Sequence, residues 1–332
     1  MTLDYKEFSP TTTLKDKVNC WLEYAVLAPS AHNTQPWKCE FKGEVLEVHR
    51  DETRTLISDP TSREAHISIG AFIENFSVAA RAWGYEPIIK ITAFSPSDLL
   101  VAKINVVNKH NPEQERDIEL LKAITNRHTN RGVFMKETLG KDFESKILST
   151  KEGLAKPFIF HGVDSKLRIS KLVAAGTVTA LSLGFMKKEL ARLVYSSKHP
   201  KETGMPINSM VSGFIWNLVS PRLAIHFLNP KRLGAENEKK YAISPALVII
   251  GSTEDGPNAW IDAGRLMERI LLIATAVGFS HDIAAGPVEI PTLMPILRQE
   301  IPSEFRPQVL FRIGRAKDVS LSVGSGRRTL VV

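Results

Sequence analysis

Cysteine is nearly absent from this 332-residue sequence: Cys20 and Cys39 are the only two, and neither belongs to a Cys-x-x-Cys pair or a Cys/His cluster. A disulfide framework and a cysteine-based metal site are thereby excluded, and two buried thiols in a reducing cytoplasm are expected. Long apolar runs are also missing. Nothing approaches the ~20 residues that a membrane span requires, and Met1-Thr2-Leu3-Asp4-Tyr5-Lys6-Glu7 lacks the apolar core of a signal peptide. The expectation is a soluble, cytoplasmic chain with no membrane partner. No dense basic tract is present either: the formal charge of +7 is scattered without aromatic interleaving, which argues against a nucleic-acid partner. The chain has no Gly-x-Ser-x-Gly elbow, no His-Glu-x-x-His, no Walker loop and no histidine pair at metal spacing, so no metal is expected.

What is there organises around one corner, Ala28-Pro29-Ser30-Ala31-His32-Asn33-Thr34-Gln35-Pro36-Trp37. Apolar residues recur at helical spacing before it, from Val18 to Leu27, and Lys38-Cys39-Glu40-Phe41 alternates like a strand after it. Two prolines fix φ and remove donors, while Ser30 and Asn33 carry short polar side chains suited to nearby backbone or to a ligand's polar edge. A tight loop that merely packs Trp37 into the core would read the same way.

Further along, Val45–His49 reads as a strand, and Ile67–Ala80 as a helix apolar on nearly all faces that Gly84 terminates. Strands follow at Ile88–Ile91 and Val101–Val107, then a polar linker from Asn108 to Asp117. The same grammar returns later: strand Val248–Ile250, an apolar helix from Ile261 to Ala274 ending at Gly278, and strand Val309–Ile313. Gly70 and Gly84 are 14 positions apart (84 − 70), as are Gly264 and Gly278 (278 − 264). Two copies of one α/β unit are expected, divided as 1–115 and 116–332. Between them Asp117–Ile124 is an amphipathic helix, and 187–241 has no counterpart in the first half. Its Met205-Pro206 and Ser220-Pro221 breaks, around Phe214, Ile215, Trp216, Leu218 and Val219, suggest a helical insertion or lid.

Three further stretches could carry chemistry. In Arg127-His128-Thr129-Asn130-Arg131 two guanidinium groups and a hydroxyl stand at alternate positions, on one side if the segment is extended, and planar guanidinium forks suit a phosphate. The run Val277–Gly286 is rich in small residues that let backbone approach a ring closely. A basic pair, Arg327-Arg328, follows Gly324-Ser325-Gly326, which is no dinucleotide fingerprint because no strand-turn-helix unit follows it.

The corner closely resembles the flavin-contacting signature Ala-Pro-Ser-x-x-Asn-x-Gln-Pro-Trp of the nitroreductase superfamily. The basic triplet is similar to that family's Arg-x-Ser-x-Arg, with Thr129 for serine. The resemblance implies an α/β (α+β) nitroreductase-like fold of mostly antiparallel sheets around long buried helices, binding flavin mononucleotide (FMN). It implies that Pro29, Ser30, Ala31 and Asn33 border the ring, and that Arg127, His128, Thr129, Arg131, Arg327 and Arg328 hold the phosphate end. Ala284, Ala285 and Gly286 would line the reactive edge. No catalytic side chain is implied, because the flavin does the chemistry; His32 has no partner in view. NADH or NADPH would be the co-substrate and a nitroaromatic, quinone or similar small molecule the acceptor. The corner occurs only in the first half and the other three stretches only in the second. That is the pattern of the single-chain, twin-domain (Acg-like) branch: a fused pseudo-dimer with one surviving site, monomeric or assembled further. A store that sequesters flavin under the lid is the alternative function.

Overall fold

The computed structural model describes residues 7–109, 111–196, 199, 201–207, 220–319 and 325–332. The apolar residues Phe214 to Val219 expected at the heart of the insertion lie outside these, as does Gly324. Two four-stranded antiparallel sheets divide the chain. The first contains β1 (Trp37–Lys42), β2 (Val45–Arg50), β3 (Tyr85–Ile91) and β4 (Leu100–Asn108) in the order β1-β2-β4-β3. The second begins with β5 (Ala155–Phe160). Beyond a short parallel pair, β6 (Val194–Tyr195) with β7 (Met205–Pro206), it takes β8 (Ala246–Ser252), β9 (Ser280–Ile283) and β10 (Arg306–Gly314) in the order β5-β8-β10-β9. Counted within its own sheet, each order is first, second, fourth, third.

Helix α1 (Leu14–Ala25) precedes the corner and α2 (Arg63–Ala82) joins the second and third strands of the first sheet. Between the sheets run α3 (Gln114–Asn126) and α4 (Lys141–Ser149). Among the described residues between β5 and β8 run the helices α5 (Val163–Ser182), α6 (Gly184–Leu193), α7 (Pro221–Phe227) and α8 (Pro230–Ala242). A tight turn at Gly43-Glu44, both in the left-handed region, is all that separates β1 from β2. The helices between β5 and β8 begin at Val163, ahead of the 187–241 segment expected as an insertion. Helix α9 (Pro257–Ala276) occupies the position in the second sheet that α2 holds in the first, and α10 (Gly286–Glu289) and α11 (Met294–Arg298) follow β9. No single helix among the described residues is long and apolar enough to cross a membrane.

The two long helices cross at their glycines. A Cβ on Gly70 would lie 2.2 Å from the Ile261 carbonyl oxygen, and one on Gly264 would lie 2.0 Å from that of Ile67. The contact is reciprocal: the same offset of 194 relates Gly70 to Gly264 (264 − 70) and Ile67 to Ile261 (261 − 67). Around this crossing a single apolar core joins Trp21, Trp37, Phe72 and Phe76 of the first half to Val248, Ile270 and Phe311 of the second. Trp37 is fully buried and stacked on Phe72, so the corner serves the core as well as the cavity described below. Strand β8 is buried on both faces: Val248 and Ile250 face that core, while Leu247 and Ile249 face a smaller one under α5 and α8.

Helix α2 is buried continuously from Ala65 to Ala80, and its one buried acid is paired across the crossing. Glu74 receives bonds of 2.7 and 2.8 Å from Arg269 and stands 3.4 Å from Arg265. Burial raises its pKa, but the Arg269 and Arg265 charges outweigh that and hold it at about 2. Cys20 and Cys39 are free thiols and only partly shielded, short of the full burial expected; desolvation raises both pKa values.

Candidate active site

The corner folds as one 3₁₀ turn, Ala31–Asn33, with three non-glycine residues in the left-handed region: His32 at φ +48°, Asn33 at +56° and Gln35 at +53°. Each such residue costs roughly 1–2 kcal/mol, so the turn stands only because its surroundings fix it. Ser30 Oγ accepts from the Gln35 amide at 3.0 Å and closes the loop from inside. The C-terminal tail closes it from outside. Asn33 Nδ2 donates to the carbonyls of Gly204 (3.1 Å) and Gly326 (3.0 Å), its Oδ1 accepts from Arg327 Nη1, and Gln35 Oε1 accepts from the Arg328 amide at 2.9 Å. Asn33 thus lines the cavity but spends its amide on its own chain.

The basic triplet leaves α3 in extended conformation. Thr129 forms a parallel bridge with His281, and the Asn130 amide donates to the His281 carbonyl at 2.9 Å, so the segment lies beside β9. Its anchor is Arg312, fully buried and stacked on Phe134, which donates to Asp282 Oδ2 (3.1 Å) and to the Gly132 carbonyl (2.8 Å). Arg127 is buried and reaches inward. Its Nη2 donates to the Leu27 carbonyl (3.0 Å), its Nε stands 3.2 Å from Glu268 Oε1, and its Nη1 is 3.3 Å from His281 Nε2. Arg327 donates to the same Leu27 carbonyl at 3.2 Å, so two guanidinium groups from opposite ends of the second half meet at the end of α1. Burial and then the neighbouring Arg127 charge lower the Arg327 pKa to about 10. Its Nε is buried with no hydrogen-bond acceptor among the described residues. His128, lowered to about 4 by burial and then by Arg127 and Arg327, is neutral, as is His281, which burial and Arg127 hold well below its usual range. The cluster's positive charge therefore rests on arginine, and crowded buried cations with an unsatisfied donor fit an anionic group such as a phosphate.

Glu268, on α9, is the counter-ion that the sequence reading missed. Burial raises its pKa to about 7, against the opposing pull of Arg127. A carboxyl raised above its unfolded value of about 4.3 contributes stability that is complete below that value and is lost as pH rises through the folded one. Stability should thus fall between about pH 4.5 and 7 on account of this group, and Glu268→Gln should flatten that part of the curve. Thermal melts of both proteins across that interval check it; parallel curves would be the contrary result. Its signal in the sequence is an acid in the largely apolar α9, which also carries Asp262, Arg265 and Arg269, at the offset of 194 from Glu74 (268 − 74).

One cavity of about 390 Å³ joins these pieces. Pro29, Ser30, Ala31 and Asn33 line it from the first half, and Arg127, His128, Thr129, Arg131, Ala284, Ala285, Gly286 and Arg327 from the second. Arg328 is the exception: it does not line the cavity, and its guanidinium instead approaches the Gln35 carbonyl (3.4 Å) and Asp51 (3.9 Å). Gly286 packs so tightly against Gly176 of α5 that a Cβ there would lie 2.9 Å from Cα of Gly176. The helices between β5 and β8 contribute much of the remaining wall, with Val173, Leu181, Met186, Asn237 and Tyr241. Glu189 of α6 fastens them to the first half by accepting from the Ile57 and Ser58 amides and from Ser58 Oγ (2.7 Å). None of these residues stands in a motif, and only the folded chain brings them together.

No protein-family model matches the chain. A Mycobacterium tuberculosis (strain H37Rv) protein provisionally named NAD(P)H nitroreductase Rv3131 is 26% identical over 305 residues, covering 91% of this chain and 86% of its own. A second from the same organism, provisionally named NAD(P)H nitroreductase acg, is 25% identical over 333 residues, covering 93% and 92%. Among solved structures, a nitroreductase from Anabaena variabilis, also provisionally named, aligns over 94% of this chain and 93% of its own with a TM-score of 0.53 at 11% identity, a likeness of fold. Sequence similarity over nine-tenths of the chain and likeness of fold both support a relation to the nitroreductase superfamily.

Proposed function

We propose that the protein is an FMN-dependent oxidoreductase of the nitroreductase type, passing hydride from NADH or NADPH to a small acceptor such as a nitroaromatic or quinone. The observation that carries this reading is the convergence of the first-half corner and the second-half arginines on one cavity. Arg127 and Arg327 would take the phosphate, with Arg131 and Thr129 beside them. Ser30, Ala31 and Pro29 would border the ring on one side, and Ala285 and Gly286, with no bulk to hold it off, on the other. Bound FMN would supply the hydride chemistry, while the chain orients it and keeps water out. Matching strand orders and the reciprocal glycine crossing support a tandem duplication with halves 1–115 and 116–332, acting as a pseudo-dimeric monomer in the cytoplasm.

A second reading is favoured by the wall that α5, α6 and α8 build over the cavity and by the Glu189 fastening: a protein that stores flavin with little turnover. Anaerobic stopped-flow mixing of the FMN-loaded protein with NADPH separates the two. Bleaching of the flavin bands within seconds is expected of the oxidoreductase, and no bleaching over minutes would leave the store. A protein that takes up no flavin would overturn both.

A further inference from the structure

A second set of ionisable groups lines the cavity and takes no part in the arginine cluster. Glu64, in the first turn of α2, and Glu289, the last residue of α10, are both half-buried there, and their carboxyl groups lie within hydrogen-bonding reach of each other. Two ionised carboxylates repel at that range, and the contact is stable only with one proton between them. No arginine, lysine or histidine among the described residues donates a hydrogen bond to either carboxyl. The Arg63 charge acts on both carboxyls, but its Nε is spent on Gln308 Oε1 (2.9 Å) and its Nη2 on the Gln308 carbonyl. The other groups facing the pair are His32 of the corner and Asp59 ahead of α2, with Glu189 and Arg131 acting on His32. Burial keeps His32 neutral, against the pull of Glu64, so it has no proton to give near neutral pH. Burial and then Glu289 hold the Glu64 carboxyl well above the usual range, in keeping with a retained proton that belongs to the pair.

We propose that Glu64 and Glu289 hold one shared proton and deliver it to the acceptor as the acceptor is reduced. The delivery rests on the oxidoreductase reading above. Reducing a quinone to a hydroquinone takes one hydride, which supplies both electrons and one hydrogen and comes from NAD(P)H in that reading, plus one proton. The pair supplies that proton: a carboxyl O–H bond breaks, an O–H bond forms on the second quinone oxygen, and the two carboxylates left behind recover a proton from water. Each half of the chain contributes one member, so the device exists only where the halves meet.

The sharing is tested without flavin, by infrared spectroscopy at pH 8 in water and heavy water on protein carrying Glu268→Gln as a common background, which removes the buried carboxyl held at about 7 and leaves Asp59, held at about 6, ionised. The C=O stretch of a protonated carboxylic acid, displaced in heavy water, is expected in that background and lost when either Glu64→Gln or Glu289→Gln is added, while added Glu300→Gln, at the half-buried partner of the exposed Arg168, retains it. A background protein without that band, or a band that survives in both cavity variants, overturns the sharing. The delivery is tested by stopped-flow on the FMN-loaded protein. Reduction by NADPH should stay within about twofold of wild type, whereas reoxidation by p-benzoquinone should slow on the order of 10²-fold, the usual yield of a positioned acid. Unchanged reoxidation overturns the delivery, and so does equal slowing of both halves. A protein that is never bleached by NADPH sinks the oxidoreductase reading and the delivery with it, and the infrared result still decides the sharing.

Discussion

Arg327→Ala is expected to emerge from purification nearly colourless. A charge-assisted hydrogen bond contributes about 1.5–3 kcal/mol, and each 1.4 kcal/mol is about tenfold in affinity. Losing Arg327 should therefore weaken FMN binding by about 10- to 10²-fold before any movement of the tail that its bond to Asn33 holds. Arg127→Ala should weaken it similarly but with a second signature, because Arg127 is the counter-ion of Glu268. Without it the Glu268 carboxyl rises further above about 7 and its proton becomes harder to remove. The variant should lose more stability relative to wild type at pH 8 than at pH 6, and Arg327→Ala should show a smaller widening, because its charge pulls on Glu268 less than that of Arg127 does. FMN titration by fluorescence quenching, with melts at the two pH values, measures both effects. Full flavin occupancy in the double variant would refute the phosphate assignment.

Gly264→Ala should lower the melting temperature more than any other single added methyl group considered for this chain. Its Cβ would sit 2.0 Å from the Ile67 carbonyl oxygen, and backbone on both sides leaves no flexible side chain to yield. Overpacking of a core costs about 1–3 kcal/mol and sometimes more. At roughly 2–4 °C per kcal/mol for chains somewhat smaller than this one, a fall of several degrees follows, up to about 10 °C. Gly70→Ala, 2.2 Å from the Ile261 carbonyl oxygen, should behave alike. The double variant should cost less than the two together, because one separation of the helices relieves both clashes. Gly184→Ala, with nothing within 4 Å, is the control and should stay close to wild type. A melting temperature for Gly264→Ala within a degree of that control would mean that the crossing is not as close as described.

Strong local periodicity made most of the secondary structure readable. Ile67–Ala80 and Ile261–Ala274 lie inside α2 and α9, and the strands at Val45–His49, Val101–Val107 and Val309–Ile313 lie inside β2, β4 and β10. The reading failed where an element is set by its neighbours. Val277–Gly286 contains the short strand β9, four residues long, laddered with β10 on one side and bridged by Thr129 at His281 on the other. Helix α5 gave no distinct pattern because its cavity-facing residues, Val173, Gly176, Thr177 and Ala180, share no single polarity. In the cavity, residues at fixed spacing were readable and partners distant in sequence were not. Arg127 announces itself in a triplet, but Glu268, 141 positions later (268 − 127), is one of four charged residues in α9, with Asp262, Arg265 and Arg269, and nothing local singles it out. Glu64 and Glu289 belong to no motif. Arg328 sits beside Arg327 in sequence, yet its amide and guanidinium are drawn to Gln35 and Asp51.

The bond between Asn33 and Arg327 spans 294 positions. At roughly 5–20 residues per second of synthesis, about 15 to 60 s separate the emergence of one partner from that of the other. For that interval the strained turn at His32 lacks its outer support and the arginine cluster is incomplete. A nascent chain held on the ribosome short of Arg327 would have the cavity walls and Arg127 but only part of the grip on an anion, making full ligand capture one of the last events in this protein's maturation.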